Sequence, residues 1–425
     1  MVSRRDFLWS GALAAGLSSL PVVTNQGGNE ECKPLPPSIA KLKSWKDQAR
    51  PITVAERHAR LEKARSLMDE NRLAAIMLTS GTSLTYFTGI RWWGGERLFT
   101  LILPAKGAAF FVCPAFEQDR AKEQIAHSPL SKADIRIWQE DENPYARVAQ
   151  GLKELGIASA TLGMEEAVPF VFSHGVGNAA AQVRIASATP VTAGCRMIKD
   201  AHEIELMRLA AKVTLTAYEA AYYALDNGMT QHDFERLLKA AHSQLGFEGG
   251  ADVQVGEYSA LPHGSITPQV IREETIVLMD GGCKVEGYTS DITRTFVLGK
   301  PTQKMKDVFD IVHRAQSAAL ATAKPGIEAQ SVDAAARKII TDSGYGPEYK
   351  YFTHRLGHGM GMDGHEWPYL VRGDTISLRP NMVFSDEPGV YIRGEFGIRL
   401  EDDMHILQHG AELFTPQSGS LEKPF

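Results

Sequence analysis

The sequence predicts two folded domains, an α/β domain over residues 54–195 followed by an α+β domain over residues 196–425. Three observations lead there. A chain of 425 residues is longer than one hydrophobic core sustains. Its first half alternates short apolar runs with amphipathic stretches. Its second half sets long helical patterns among alternating runs that read as antiparallel hairpins. With 44% hydrophobic and 23% charged residues the chain can build full cores. Lys and Arg total 45 against 51 Asp and Glu, a net charge of −6 without long single-sign runs or basic and aromatic interleaving, which excludes nucleic acid as a partner.

The N-terminus reads "SRRDFLWSGALAAGLSSLPVV". The pair Arg4 and Arg5 precedes an apolar, small-residue stretch that is short for a membrane span. The run from Ser3 to Leu8 resembles a twin-arginine signal, which implies that residues 1–26 are read by the twin-arginine export machinery and that the folded protein reaches the periplasm. A retained signal anchor is the alternative, because residues 22–24 are only a fair cleavage site. Residues 27–53 are polar with no periodicity and read as a tether, so that structure begins near Val54. Cys32, Cys113, Cys195 and Cys283 show no CxxC spacing, which argues against a zinc knuckle or dithiol redox motif; four largely buried free thiols are expected, with oxidation of one pair in an exported protein as the alternative.

Within the first domain "AERHARLEKARSLMDENRL" has helical periodicity, and "AAIMLT", "TLILP" and "AAFFVC" read as short buried strands. Helix and strand signals continue through "YARVAQGLKELGI", "ATLGM" and "PFVFSHGVGNAAAQ". The segment "RWWGGERL" offers Trp92 and Trp93 beside two glycines, either as an aromatic wall or as core packing.

The second domain opens on "KDAHEIELMRLAAKVTLTAYEAAYYAL", a long helix with an Ala-rich face. Helices are expected over 231–244 and 305–323, and strands over 276–280, 289–298, 382–386 and 398–407. No repeat of solenoid period is present.

The chemistry-bearing residues lie among those strands. "DGGCKVEGYTSDITRTF" places Asp280 and Asp291 in an apolar hairpin, and buried carboxylates are costly unless neutralised. Strand alternation puts Asp291, Thr293 and Thr295 on one face, with Asp291 able to lie across from Asp280. "HRLGHGMGMDGH" supplies His354, His358 and His365 on a glycine-rich stretch that cannot form a stable helix. Glu387 in "DEPGVYI" and Glu401 in "IRLEDD" add two acids, with Arg399, Glu401 and Asp403 on one strand face. Taken singly, each has an ordinary use in a turn, a core or a paired surface.

The ordered set Asp280, Asp291, His358, Glu387 and Glu401 in these contexts resembles the pita-bread metallopeptidases of the aminopeptidase P and prolidase branch. The likeness is close over about 196–410 and looser over the first domain. It implies a pita-bread catalytic domain behind a creatinase-like N-terminal domain, and hydrolysis of the bond preceding proline in proline-containing peptides. It further implies two divalent ions, Mn²⁺ ahead of Co²⁺, Zn²⁺ or Fe²⁺, and a homodimer or larger assembly. The ligand chemistry agrees: four carboxylates and a neutral imidazole suit a pair of hard divalent cations. By the same resemblance Glu387 is the proton shuttle beside its metal role, while His263 and His365 act on the reacting peptide. His354, Arg399 and the pair Trp92 and Trp93 would touch substrate. Alternatives on the same scaffold are a hydrolase or lyase of a small molecule, like ectoine hydrolase or dimethylsulfoniopropionate lyase, or a binding protein without catalysis.

Overall fold

The computed structural model describes residues 34–425, so the export-signal reading of residues 1–26 and the state of Cys32 lie outside the described residues. Order begins earlier than the sequence predicts. A short helix, α1 (Pro37–Ala40), and a 3₁₀ turn at Lys46–Gln48 stand where a tether to residue 53 is expected. Ile39 and Ile52 are buried in one cluster with Ile204, Leu206, Met207 and Leu245, and the Trp45 amide donates to the Leu245 carbonyl at 2.9 Å. The tether reading fails over this part because isolated apolar residues in a polar stretch carry no periodic signal, yet each finds a site on the second domain.

The first domain then runs α2 (Val54–Glu70), β1 (Ala75–Thr79), α3 (Thr82–Thr88), β2 (Thr100–Pro104), β3 (Phe110–Pro114), α4 (Gln118–Ala126), β4 (Asp134–Trp138), α5 (Pro144–Glu154), β5 (Thr161–Met164), α6 (Phe170–Ala179), β6 (Arg184–Ser187) and α7 (Thr189–Arg196). Its strands form one mixed sheet in the order β4-β3-β2-β1-β5-β6. Alternation divides the core cleanly. Ile76, Leu78, Leu101, Leu103 and Phe111 pack on one face, and Ala75, Met77, Ile102, Phe110 and Val112 on the other.

The second domain comprises α8 (Ala201–Tyr222), α9 (Gln231–Leu245), β7 (Glu248–Val255), β8 (Ile276–Val285), β9 (Tyr288–Thr289), β10 (Ile292–Val297), α10 (Gln303–Thr322), α11 (Ala329–Asp342), β11 (Gly357–Gly359), β12 (Glu366–Leu370), β13 (Val383–Asp386), β14 (Gly389–Ile392), β15 (Phe396–Arg399), β16 (Asp402–Ile406) and β17 (Ala411–Leu413). Two sheets, β10-β8-β7 with β9 paired to β8, and β12-β11-β13-β16-β17, are each covered by a helix pair. Helices α8 and α9 pack on the first through Ala211, Tyr218, Phe234 and Leu238, and α10 and α11 on the second through Val312, Ala315, Val332 and Ala336. The strand expected over 398–407 is two strands, broken at Leu400 and Glu401, because Arg399 pairs with Gly389 whereas Asp402 pairs with Asp386. That break turns Glu401 inward. Among the described residues Cys113, Cys195 and Cys283 are free and buried.

Helix α2 is held at its start by a reciprocal capping box between Thr53 and Glu56, and the Glu56 carboxylate also meets the His202 ring at 2.7 Å. Burial alone would raise the Glu56 carboxyl, but hydrogen bonds from the Thr53 hydroxyl and amide and from His202 outweigh it and hold it at about 2. A depressed acid stabilises the fold above its unfolded value of 4.5, and that contribution fades as pH falls through the interval toward about 2. Glu56→Ala should therefore lower stability to urea by about 1 kcal/mol at pH 7. The deficit should shrink below about pH 4.5, and a deficit independent of pH would contradict this origin.

Candidate metal centre

Strands β8 and β10 deliver the first two acids. Their register sets Thr293, rather than Asp291, directly across from Asp280, and Asp291 lies one residue before β10 begins. The Thr293 hydroxyl lies 2.8 Å from Asp280 Oδ1 and 2.6 Å from Glu401 Oε2, and it accepts from Arg399 Nε at 3.1 Å. A hydroxyl has one proton to give. It can therefore donate to only one of the two carboxylates it touches.

Strand β11 delivers His358, which is buried at 2% exposure. Glycine is required beside it, since a Cβ on Gly357 would lie 2.0 Å from the Ser385 carbonyl of β13. The His358 Nδ1–H donates to the Gly359 carbonyl at 3.2 Å, which leaves the Nε2 lone pair facing Glu387 Oε1 at 3.4 Å and Asp291 Oδ2 at 3.9 Å. Burial, then the neighbouring His365, push the His358 imidazole down to about 3, so it is neutral, the form that can take a metal. Glu387 follows β13 and accepts from the Ser385 hydroxyl at 3.2 Å. Ligand atoms of Asp291, His358 and Glu401 all fall within 4.8 Å of one another. The structure thus brings all five residues singled out as metal ligands around one point.

The electrostatics of that point call for cations. Burial followed by neighbouring carboxylates raises Asp291 and Glu401 well above the usual acid range. Burial takes Glu387 up to about 8, against the pull of Arg399 and with the push of Asp280. Asp280 is the exception, because Arg399 and Thr293 overcome its burial and hold it low. Among the described residues Arg399 is the only Lys or Arg side chain bonded to a side chain of the five, through Nη2 to Asp280 Oδ2 at 2.7 Å. Four carboxylates against one guanidinium fit divalent metal ions, and each carboxylate oxygen keeps a further lone pair for one. The site is also reachable. Asp280 and Asp291 keep 32% and 24% of their side chains exposed and line a cavity of about 890 Å³ with Glu235, Glu248, Asp252 and Gly364.

The other expected site residues divide. His365 is exposed and its ring stacks on His358 at 3.7 Å between centroids. His263 is exposed on the loop before β8; burial first, with His263 among the lesser contributors, pushes His354 and His365 down. His354 and Arg399, the expected substrate contacts, are joined to each other by hydrogen bonds through Tyr391. Arg399 Nη1 donates to the Tyr391 hydroxyl at 2.9 Å, that hydroxyl donates to His354 Nε2 at 2.7 Å, and His354 Nδ1–H donates to the Arg355 carbonyl at 2.7 Å. The chain braces Asp280. Trp92 and Trp93 line a cavity of about 690 Å³ with Lys46, Arg91 and Phe247, which shares Glu248 and Lys284 with the cavity lined by Asp280 and Asp291. Trp92 lies flat on Phe99 at 3.8 Å, so its packing role prevails, while the Arg120 guanidinium covers Trp93 at 3.2 Å.

Thr293, Tyr391 and Ser385 were not singled out as functional. Thr293 had a signal, since it shares the strand face of Asp291. The other two had none, because a serine or tyrosine in an apolar strand run gives no sign of the remote backbone or side chain it meets, His358 for Ser385 and His354 for Tyr391. Behind them Arg294, fully buried, neutralises Asp402 at 2.7 Å and donates to the Glu401 carbonyl at 2.9 Å, while Asp403 Oδ1 accepts from the Asp291 amide at 3.0 Å.

A domain that closes four carboxylates and a neutral imidazole around one point, beside an open cavity, defines a divalent-metal enzyme. The profile of metallopeptidase family M24 matches residues 205–408, and that of the creatinase/prolidase N-terminal domain matches residues 60–198. A Xaa-Pro dipeptidase of Lactobacillus delbrueckii subsp. lactis is 32% identical over 370 residues, covering 85% of this chain and 98% of that one. The crystal structure of dipeptidase PepE from Mycobacterium ulcerans superposes with a TM-score of 0.82 at 31% identity, over 88% of this chain and 99% of that one. The Xaa-Pro dipeptidase from Bacillus anthracis gives 0.74 at 30% identity, over 86% and 99%. This chain belongs to metallopeptidase family M24: a peptidase with a creatinase-type N-terminal domain and a pita-bread catalytic domain.

Thr293→Val removes the hydroxyl shared by Asp280, Glu401 and Arg399 while keeping the side chain's shape. Calorimetric titration of the metal-depleted protein with Mn²⁺ should show binding weakened about 10- to 100-fold. Unchanged binding would mean that this hydroxyl does not position the carboxylates.

Proposed function

We propose that this protein is a Xaa-Pro dipeptidase that works with two divalent ions, Mn²⁺ foremost. The observation that carries the reading is the convergence of Asp280, Asp291, His358, Glu387 and Glu401, and the names of the relatives at about 30% identity supply the substrate class. Asp280, Asp291, His358, Glu387 and Glu401 would hold the ions, and the oxygen-rich set favours hard cations. When bound, such ions supply Lewis acidity and an activated water for amide hydrolysis.

The chain's own residues do the rest. Glu387 sits between His358 and His354, with Oε2 3.9 Å from His354 Nδ1, and carries the proton toward the leaving nitrogen. His365 and His263 face the site from exposed loops and contact the peptide carbonyl and chain. Arg399, tied to Asp280, Thr293 and Tyr391, keeps the acids oriented as they exchange partners.

A second reading is an aminopeptidase acting on longer peptides. It is favoured by the cavity of about 890 Å³, which is roomier than a dipeptide requires. Periplasmic export in folded form rests on the "SRRDFL" run, and assembly as a homodimer on the family likeness. The end of α7 at Arg196 and the start of α8 at Ala201 put a boundary just after the expected division at 195/196, with Arg196 on the first domain.

The test is hydrolysis of Gly-Pro and of an Arg-Pro-Pro peptide by the Mn²⁺-loaded protein, with Asp291→Asn as the blank. Gly-Pro should be cleaved, and Asp291→Asn should lower the rate on the order of 100-fold or more. Cleavage of the longer peptide would favour the aminopeptidase. Failure on both would pass the lead to a small-molecule substrate.

A further inference from the structure

The stretch between β11 and β12 that carries His365 is held on one side by its own domain, where the Thr289 amide and hydroxyl donate to the Gly361 carbonyl at 2.7 and 3.1 Å. The other side is held by the first domain. Thr82, at the start of α3, donates to Asp363 Oδ1, and the Trp367 indole donates to Glu166 at 3.0 Å. Between these lies Arg196, the last residue of α7, whose Nη2 donates both to Asp363 Oδ2 and to Glu366 Oε1. Glu366 Oε1 also accepts from the amides of Met362 at 2.9 Å and Asp363 at 3.0 Å. One guanidinium therefore bonds the residue two before His365 and the residue directly after it. The contact is sheltered, with side-chain exposures of 12% for Arg196 and 5% for Glu366.

We propose that Arg196 is a positioning residue acting across the domain junction, fixing the loop in which the His365 ring stacks on His358. The proposal rests on the reading of His365 as part of the peptidase site. A planar guanidinium bonds two acceptors where an ammonium offers a point charge. Removing it leaves Glu366 buried with one fewer donor, and the loop relaxes.

Two readouts test it. On Gly-Pro, Arg196→Met should lower kcat about 10- to 100-fold with little change in KM, and Arg196→Lys should recover part of the loss. In a His365→Ala background the same change should cost less than about twofold more, because both act through one imidazole. Arg60→Met serves as the comparison. Arg60 also crosses the junction, to the Tyr288 hydroxyl at 2.8 Å, and does not bond the His365 loop, so its effect should be the same in both backgrounds. The second readout needs no substrate: the rate at which diethyl pyrocarbonate modifies His365, mapped by mass spectrometry, should rise severalfold in Arg196→Met as the ring leaves its stack. Losses that multiply in the double variant, or an unchanged modification rate, would overturn the proposal. A wild-type protein inert on Gly-Pro would sink the dipeptidase reading, and one inert on the Arg-Pro-Pro peptide as well would sink the peptidase reading; either result leaves the modification arm to decide this one. If Arg196→Met does not fold, Arg196→Lys carries both arms.

Discussion

Mutual repulsion among buried carboxylates is the constraint around which the second domain is built. Asp280, Asp291, Glu387 and Glu401 come from four separate segments, and the Thr293 hydroxyl has one proton for two of them. Without cations the fold could hold this cluster only by protonating several members, as the upward pull on Asp291, Glu387 and Glu401 shows. The surrounding architecture is arranged to tolerate and aim that charge. Arg294 neutralises Asp402 and steadies the backbone of Glu401, Asp403 holds the amide of Asp291, and Arg399 holds Asp280 from behind.

The first domain contributes at a distance. Its mixed sheet is covered on both faces and has no part in the metal cluster. Arginines on its helices reach across to the catalytic domain at two places, Arg60 to Tyr288 on the way from Asp280 to Asp291, and Arg196 to the stretch around His365. Both are largely buried, so each ties an element of the site to the packing of the neighbouring domain.

Much of this was legible in the sequence, and what was not has a common cause. Helices α8 and α9 announce themselves by periodicity and by the capping boxes at Asp200 and Thr230, which are local signals. The ligand set was readable because each member sits in a short motif. Alternation gave the face of Thr293 but could not give its register against Asp280, which depends on how two strands slide. The anchoring of Ile39 and Ile52, the break in the strand after Arg399 and the turning of Arg399 toward Asp280 all depend on partners far away in the chain. Trp92 and Trp93 stay open in the sequence for a related reason, since an aromatic pair beside glycines looks alike whether it packs, as Trp92 does on Phe99, or faces a ligand.

The measurement that tests the central claim most directly is anomalous scattering from crystals grown with Mn²⁺. The account predicts two peaks enclosed by Asp280, Asp291, His358, Glu387 and Glu401, with the Thr293 hydroxyl still bonded to a carboxylate that coordinates one of them. A single peak, or metal bound elsewhere while these acids keep their protons, would contradict it.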